Sequence, residues 1–553
     1  MRNIFFLILS CFCLLSVHAQ NETSKDHISL AGIWNFKLDP LNVSIPVKGS
    51  NFVSKFPEEI TLPGSTDQAG KGFKTQDMSS LRLTRMFEYS GAAWYEKENI
   101  FIPESWKDQQ LFLFLERVHW ESQVWINGKF VGKEESLSTP HLYDITSYVK
   151  FGDWNTVRIR VDNGNIHDIA YTHAISAETQ TNWNGIIGRM EIQAVSKVHI
   201  ADVQIYPLQK EKRLKIVAQI VNYSNLPVKG DIRINCHFLN DSQDLHLKEK
   251  NTTFNSSDSL IHLVHYYDLG DKLYTWDEFE PNLYEIDYEI KCCGKSDVRK
   301  IKFGIRDFGT KGTHFTINDI PTFIRGAVNS CEFPITGYPP MGYEEWKKVM
   351  KVYKDYGLNC IRFHSWCPPE SAFQVADELG LYLQVENSDW RFTVGEDEAT
   401  NAFYLDEAQR IIKEYGNHPS FAFFCEGNEL VGKGCVDFLK EMLTEWKKDS
   451  RHLYVAASGY PTVEGSDFFD FYGARPQRWQ EGLKGRFNSQ PLNTRYDYID
   501  YVKKFSIPMV THEIGQWCAY PDFNQISKYI GVLKPYNYEL FREDLRNKKM
   551  LDQ

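Results

Sequence analysis

The stretch Phe421-Ala-Phe-Phe-Cys-Glu-Gly-Asn428-Glu429 decides the fold. Phe421 to Cys425 form a short apolar run, as in a strand buried on both faces of a parallel sheet. Asn417-His418-Pro419-Ser420 punctuates its start, and Gly427-Asn428-Glu429 ends it. A helical pattern follows, with Leu439, Met442, Leu443 and Trp446 spaced at i, i+3, i+4 and i+7. Strand, acidic tip and helix make the βα unit of an α/β barrel, whose chemistry sits at the C-terminal strand ends.

A second stretch, Pro508-Met-Val-Thr-His-Glu513-Ile-Gly515, has the same form. The interval between the two leaves room for roughly two βα units of about 30 residues each. Glu429 and Glu513 are therefore expected on one face of one barrel. Two carboxylates converging on a cleft suit cleavage of a glycosidic bond, one as acid/base and one as nucleophile. Strand alternation predicts that His512 faces away from Glu513.

The same alternation of strands and helices runs from residue 304 to the end. Expected strands are Phe323–Gly326, Asn359–His364, Leu381–Glu386, the Glu429 strand, Leu453–Ala457, Phe468–Tyr472 and the Glu513 strand. Helix faces lie at Trp346/Val349/Met350/Tyr353, at Ala372/Val375/Ala376/Leu379 and at Leu405/Ala408/Ile412/Tyr415. This pattern predicts a C-terminal (β/α)8 TIM barrel over 304–553. Only seven strands are legible, with Tyr529–Leu533 a weak eighth, so the barrel reads as truncated before its last strand.

Two β regions precede it. Over 27–196, short apolar runs alternate with turn signals, and Gln123–Ile126, Asn127-Gly128 and Lys129–Val131 spell a hairpin with a type I′ turn. That predicts a β-sandwich. Over 198–303, Tyr284, Ile286, Tyr288 and Ile290 alternate with acidic residues, and Ile232, Ile234, Cys236 and Phe238 repeat the pattern. About 100 residues of such strands suit an immunoglobulin-like sandwich.

Composition sets the outer bounds. The chain has 553 residues, with 42% hydrophobic and 24% charged content, so it has ample core for several domains. A formal net charge of −11 argues against non-specific nucleic-acid binding. Met1-Arg-Asn followed by the apolar run Ile4–Val17 has the form of a secretory signal peptide over 1–19. The run is short for a membrane span. Export to the periplasm or medium is expected, with a lipid anchor at Cys11 as the lesser alternative. Cysteines outside this leader are scattered and show no metal-ligand spacing.

These residues resemble glycoside hydrolase family 2, which contains β-galactosidases, β-glucuronidases and β-mannosidases. Leu30-Ala-Gly-Ile-Trp34-Asn-Phe36 is similar to the family's opening. Trp120-Glu-Ser-Gln-Val-Trp-Ile-Asn127-Gly128, Tyr143-Asp-Ile-Thr146 and Gly185-Ile-Ile-Gly-Arg189 are similar to its sugar-binding jelly-roll domain. Tyr415-Gly-Asn-His-Pro-Ser420 through Glu429 resembles its acid/base signature and is the most specific match.

The resemblance implies Glu429 as acid/base, Glu513 as nucleophile, Asn428 on the sugar 2-hydroxyl and Tyr472 orienting the nucleophile. Arg362 and His364 would support the nucleophile and the sugar hydroxyls. Trp366, Trp390 and Trp517 each follow a strand end and are candidates for stacking on a sugar ring. No cofactor and no essential metal are expected. The expected activity is an exported retaining exo-glycosidase, β-galactosidase-like by default. β-Glucuronidase, β-mannosidase and α-L-arabinopyranosidase are alternatives within the family. A non-catalytic carbohydrate-binding homologue is the alternative outside it. The expected partner is a carbohydrate, and the sequence leaves self-association open.

Overall fold

The computed structural model describes residues 26–44, 56–75, 78–176, 181–240, 245, 247–471, 499–514 and 519–551. Its first unit packs a six-stranded antiparallel sheet on a five-stranded one. Trp34, Phe36, Tyr95, Leu113, Val124 and Ile159 fill the space between them. Asn127 and Gly128 take φ of 51° and 79° and join strands Glu121–Ile126 and Lys129–Glu135 in a type I′ turn.

The second unit pairs a three-stranded and a four-stranded antiparallel sheet. In strand Tyr284–Cys292, the residues Tyr284, Ile286, Tyr288 and Ile290 all point into its core. The intervening acidic residues face the other way, as the period of two requires.

The third unit is parallel. Strands Gly326–Asn329, Cys360–Phe363, Tyr382–Asp389, Phe421–Gly427 and Leu453–Val455 pair in sequence order. Ser458–Gly459, Phe469–Phe471 and Met509–Thr511 form a parallel three-stranded set, and an Asn428–Ser458 bridge joins the two sets. Helices Tyr343–Asp355, Glu370–Leu379, Glu398–Tyr415 and Cys435–Trp446 connect the strands. Asp397 caps the third of these by accepting from the Thr400 amide at 2.7 Å. Every residue of Phe421–Gly427 is buried, which explains its uninterrupted apolar run.

Two expected strands are corrected. The first parallel strand starts at Gly326 rather than Phe323, because Phe323 is 77% exposed and Asn359 bonds the Arg325 amide. The segment Tyr529–Leu533 does not join the parallel sheet. Leu533–Lys534 instead pairs antiparallel with Thr84–Arg85 of the first unit. Hydrogen bonds from the Val532 and Leu533 amides to Ile335 and Pro334 fix it there. No helix among the described residues is long and apolar enough to cross a membrane.

The first unit docks on the third through a shared core. Trp120, Leu137, Ile169 and Ile175 pack with Trp346, Phe363, Phe403 and Tyr415. Arg117 donates to the Cys367 carbonyl at 3.0 Å and the Pro368 carbonyl at 3.2 Å.

His418 anchors the entry of the Phe421–Gly427 strand. Its Nδ1 lies 2.6 Å from Asp377 and its Nε2 lies 3.2 Å from Glu370. Asp377 also accepts the Ser420 amide at 2.9 Å. Burial works against the charged imidazole, but Glu370 and Asp377 outweigh it and raise its pKa to about 10. The unfolded value is the ordinary 6.5. The clamp's contribution is therefore complete below pH 6.5 and is lost as pH rises through about 10. His418→Gln is expected to lose about 3–5 kcal/mol near neutral pH, as for one partner removed from a buried pair. Urea unfolding of both proteins across this pH range should show the gap closing as pH rises.

Candidate active site

Three strand tips share an unusual backbone state. Ser365, Glu429 and Glu513 take φ of 50°, 47° and 47°. Left-handed non-glycine residues of this kind cost of the order of 1–3 kcal/mol each and persist only where the surroundings hold them. Here the Glu429 amide donates to the Ser458 carbonyl at 2.8 Å, and the Asn428 amide donates to Asp389 at 3.0 Å.

The left-handed residues also break strand alternation, which corrects the expectation for His512. Its strand ends at Thr511, so His512 and Glu513 no longer point to opposite faces. His512 Nε2 lies 3.3 Å from Glu513 Oε1 and 3.7 Å from Glu429 Oε1. Both carboxyls thus meet around one imidazole, within about 7 Å of each other, a separation that admits the about 5–5.5 Å of a retaining pair. Asp470 faces the other ring nitrogen at 3.4 Å. Burial disfavours the imidazolium, but the Asp470 charge prevails and raises its pKa to about 9. Burial likewise acts against the Asp470 carboxylate, and His512 brings it down to about 2.

Arg362 ties three elements together. Its Nε donates to Glu386 at 2.5 Å, its Nη1 to Glu513 at 3.2 Å and its Nη2 to Asn428 at 2.8 Å. Burial pushes the Glu513 carboxyl up, yet the His364 bond and the charges of His512 and Arg362 hold it well below the usual carboxylate range. His364 places Nε2 at 3.1 Å from Glu513. Burial and the Arg362 charge lower its pKa, so it serves Glu513 as a neutral donor. His173, from the first unit, lies 3.1 Å from His364 Nδ1, and its amide donates to Ser365 Oγ at 2.8 Å.

Gly459 closes the cleft floor at φ 84°. A Cβ there would stand 2.9 Å from Glu429 Cγ and 3.1 Å from His512 Nε2. Only glycine allows this approach without displacing the carboxyl.

Of the residues expected from sequence, Glu429, Glu513, Asn428, Arg362 and His364 come together. Tyr472 and Trp517 lie outside the described residues. Trp366 packs instead in the core against Phe363 and Trp346, with its indole N–H on the Asn329 carbonyl at 3.0 Å. Trp390 does face the site, 4.9 Å from the His364 ring and stacked on His173.

Sequence reading missed Gln384, Glu386, Ser458 and Asp470. Ser458 Oγ lies 2.6 Å from Glu386 and 2.7 Å from Asp470, with one proton to share between them, and Gln384 reaches Asp470 at 3.2 Å. A signal was present. Gln384 and Glu386 stand two apart in an apolar strand, and Asp470 sits between two phenylalanines, so all three are polar residues in buried strands. Among the described residues, no group of three His, Cys, Asp or Glu side chains is arranged to hold a metal ion.

Two antiparallel sandwiches followed by a parallel β/α unit with acidic strand tips define a multidomain carbohydrate-active class of chain. Comparison with known proteins gives the family. Residues 28–189 match "Glycosyl hydrolases family 2, sugar binding domain", and residues 198–306 match "Glycosyl hydrolases family 2". Over these two segments the chain carries the domains of glycoside hydrolase family 2.

Among its relatives, a β-galactosidase of Priestia megaterium (strain DSM 319 / IMG 1521) is 26% identical over 64% of this chain and 35% of its own length. A β-galactosidase of Thermoanaerobacterium thermosulfurigenes is 24% identical over 63% of this chain and 49% of its own length. The chain therefore spans a third to a half of these relatives. A solved β-D-glucuronidase of Dictyoglomus thermophilum shares the fold, with a TM-score of 0.60 and 20% identity, covering 81% of this chain and 76% of that one.

Replacing Arg362 with Met would leave Glu386 buried beside Asp470 without its cation. A loss of about 3–5 kcal/mol is expected. Urea unfolding followed by tryptophan fluorescence measures it.

Proposed function

We propose that the chain is a retaining exo-glycosidase for terminal β-linked sugars, with Glu513 as nucleophile and Glu429 as acid/base. The observation that carries this reading is the convergence of both carboxyls on His512, with Glu513 held as the anion. Retaining hydrolysis needs one carboxylate ready to attack and a second carboxyl that carries a proton, and Glu513 meets the first requirement.

In the first step, Glu513 attacks the anomeric carbon while Glu429 protonates the departing oxygen, giving a glycosyl ester. In the second, Glu429 takes a proton from water as that water attacks the same carbon and releases Glu513. Arg362 and His364 hold Oε1 of Glu513 and so orient the nucleophile's carboxylate. Asn428, oriented by Arg362, is placed to bond the sugar 2-hydroxyl.

The reading includes assignment of the parallel strands to a β/α barrel. Its support is the sequential parallel order on both sides of the Asn428–Ser458 bridge. A neutral sugar, β-galactoside by default, fits the site better than a uronate. Arg362 is engaged by Glu386, Glu513 and Asn428, so a uronate carboxylate would compete with the nucleophile for it. The reading also includes export, which rests on the leader pattern of residues 1–19 and is tested by cell fractionation.

The decisive experiment is hydrolysis of a panel of nitrophenyl glycosides by the intact chain, Glu513→Gln and Glu429→Gln. Cleavage of one β-linked sugar, with turnover reduced at least about 1,000-fold in Glu513→Gln, is the expected outcome. Azide should restore turnover to Glu429 variants on substrates with activated leaving groups, because only the second step then lacks its base. A folded chain that binds sugars but cleaves none would reduce the protein to a carbohydrate-binding homologue.

A further inference from the structure

The second sandwich carries a feature that glycoside chemistry does not use. Strands Tyr284–Cys292 and Lys295–Phe303 are joined by Cys293 and Gly294. Cys292 pairs with Lys295 across the ladder, so the loop has two residues. Its φ values of 55° and 74° make it a type I′ turn, the same kind as Asn127-Gly128. Asn or Asp is the rule at the first position, because their side chains tolerate the left-handed state. A cysteine there costs about 1 kcal/mol or more. Turn formation gives no reason for it.

What the left-handed state does is bring two thiols together. Cys293 Sγ lies 3.2 Å from Cys292 Sγ. The two differ in environment. Cys293 is exposed, and every other free cysteine among the described residues is buried. Cys292 is 6% exposed and belongs to the sandwich core. Burial and then the neighbouring thiol push its pKa up to about 12.

We propose that Cys292 and Cys293 form a reversible oxidation site that exchanges with small-molecule disulfides. The Cys293 thiolate attacks one sulfur of the external disulfide, and a thiolate leaves and takes up the proton that Cys293 released. Cys292 then loses its proton and attacks Cys293 Sγ. The second external thiolate leaves and takes that proton. Two protein thiols are oxidised to one disulfide, and the external disulfide is reduced to two thiols.

The geometry sets the bond's character. Neighbouring Cα atoms stand about 3.8 Å apart, closer than the about 4.4–6.8 Å of ordinary disulfides. The bond is thus strained, is readily reduced, and acts as a labile modification rather than a structural staple. The resolving step waits on Cys292 and accelerates as pH rises.

The test uses the full chain with excess oxidised glutathione at about pH 8.5, near the free-thiol pKa, followed by acid quench and peptide mass mapping. The expected result is a 292–293 peptide two hydrogens lighter, without a glutathione adduct, restored by brief exposure to a mild reductant. Cys292→Ser, or Cys292→Ala if the serine variant folds poorly, should keep a stable adduct on Cys293. A wild-type peptide that retains the adduct on Cys293, or stays unmodified under the same conditions, overturns the proposal. Neither result bears on glycoside cleavage.

Discussion

The site depends on one guanidinium. Arg362 touches the third strand through Glu386, the fourth through Asn428 and the last through Glu513. Four carboxyls, those of Glu386, Glu429, Asp470 and Glu513, crowd this end of the parallel sheet around Arg362 and His512. Like charges at such spacing cannot all ionise in a poorly solvated place unless cations stand among them. The direction of each shift follows from who sits beside whom. Glu386 is held low through Arg362, Asp470 through His512, and Glu513 through His364 and both cations. The fold thereby holds Glu386, Asp470 and Glu513 as anions before any substrate arrives. That is preorganisation in the electrostatic sense, with fixed charges and no reorganisation during reaction.

Backbone strain serves the same end. Glu429, Glu513 and Ser365 could each relax by leaving the left-handed region, but neighbours hold them, Glu513 through the contacts of its carboxyl with Arg362 and His364. Glu429 is held by Ser458, and Gly459 next to it gives the carboxyl room that any side chain would take. Ser365 is gripped by Glu386 through its amide and by Thr172 and His173 of the first sandwich. The cost of these residues is met by the packing behind them, so the strain stays at the site.

The long-range plan of the molecule was legible because it is written in periods. A change from alternating strands to apolar runs with helical spacing marks the passage from sandwiches to the parallel unit, and the buried Phe421–Gly427 strand matches its sequence pattern residue for residue. The carboxylate pair was legible because both tips read as apolar run, Glu, then turn. The supporting charges were less so. Nothing local in Val385-Glu386-Asn387 or Phe469-Asp470-Phe471 says that these carboxylates meet. They are brought together by parallel register, which sequence periodicity does not specify. His512 was misplaced for a related reason. Alternation holds only while φ stays negative, and the left-handed turn at Glu513 occurs at a residue type for which sequence gives no such signal.

The docking of the first sandwich carries the argument one step further. Its loop Ile166–Ser176 does more than cover the parallel unit, since Thr172 and His173 hold Ser365 and His173 touches His364. His364 in turn touches Glu513. The chain from sandwich to nucleophile is therefore two contacts long, His173 to His364 and His364 to Glu513, and each contact is a hydrogen-bonded or ion-pair distance rather than a loose apposition. Arg117 reinforces it by binding the carbonyls of Cys367 and Pro368, two and three residues after Ser365. The sandwich meets the parallel unit here through Thr172, His173 and Arg117. Its physical contribution is to fix the second-strand loop, and with it the orientation of the neutral imidazole that helps hold Glu513 in its charged state.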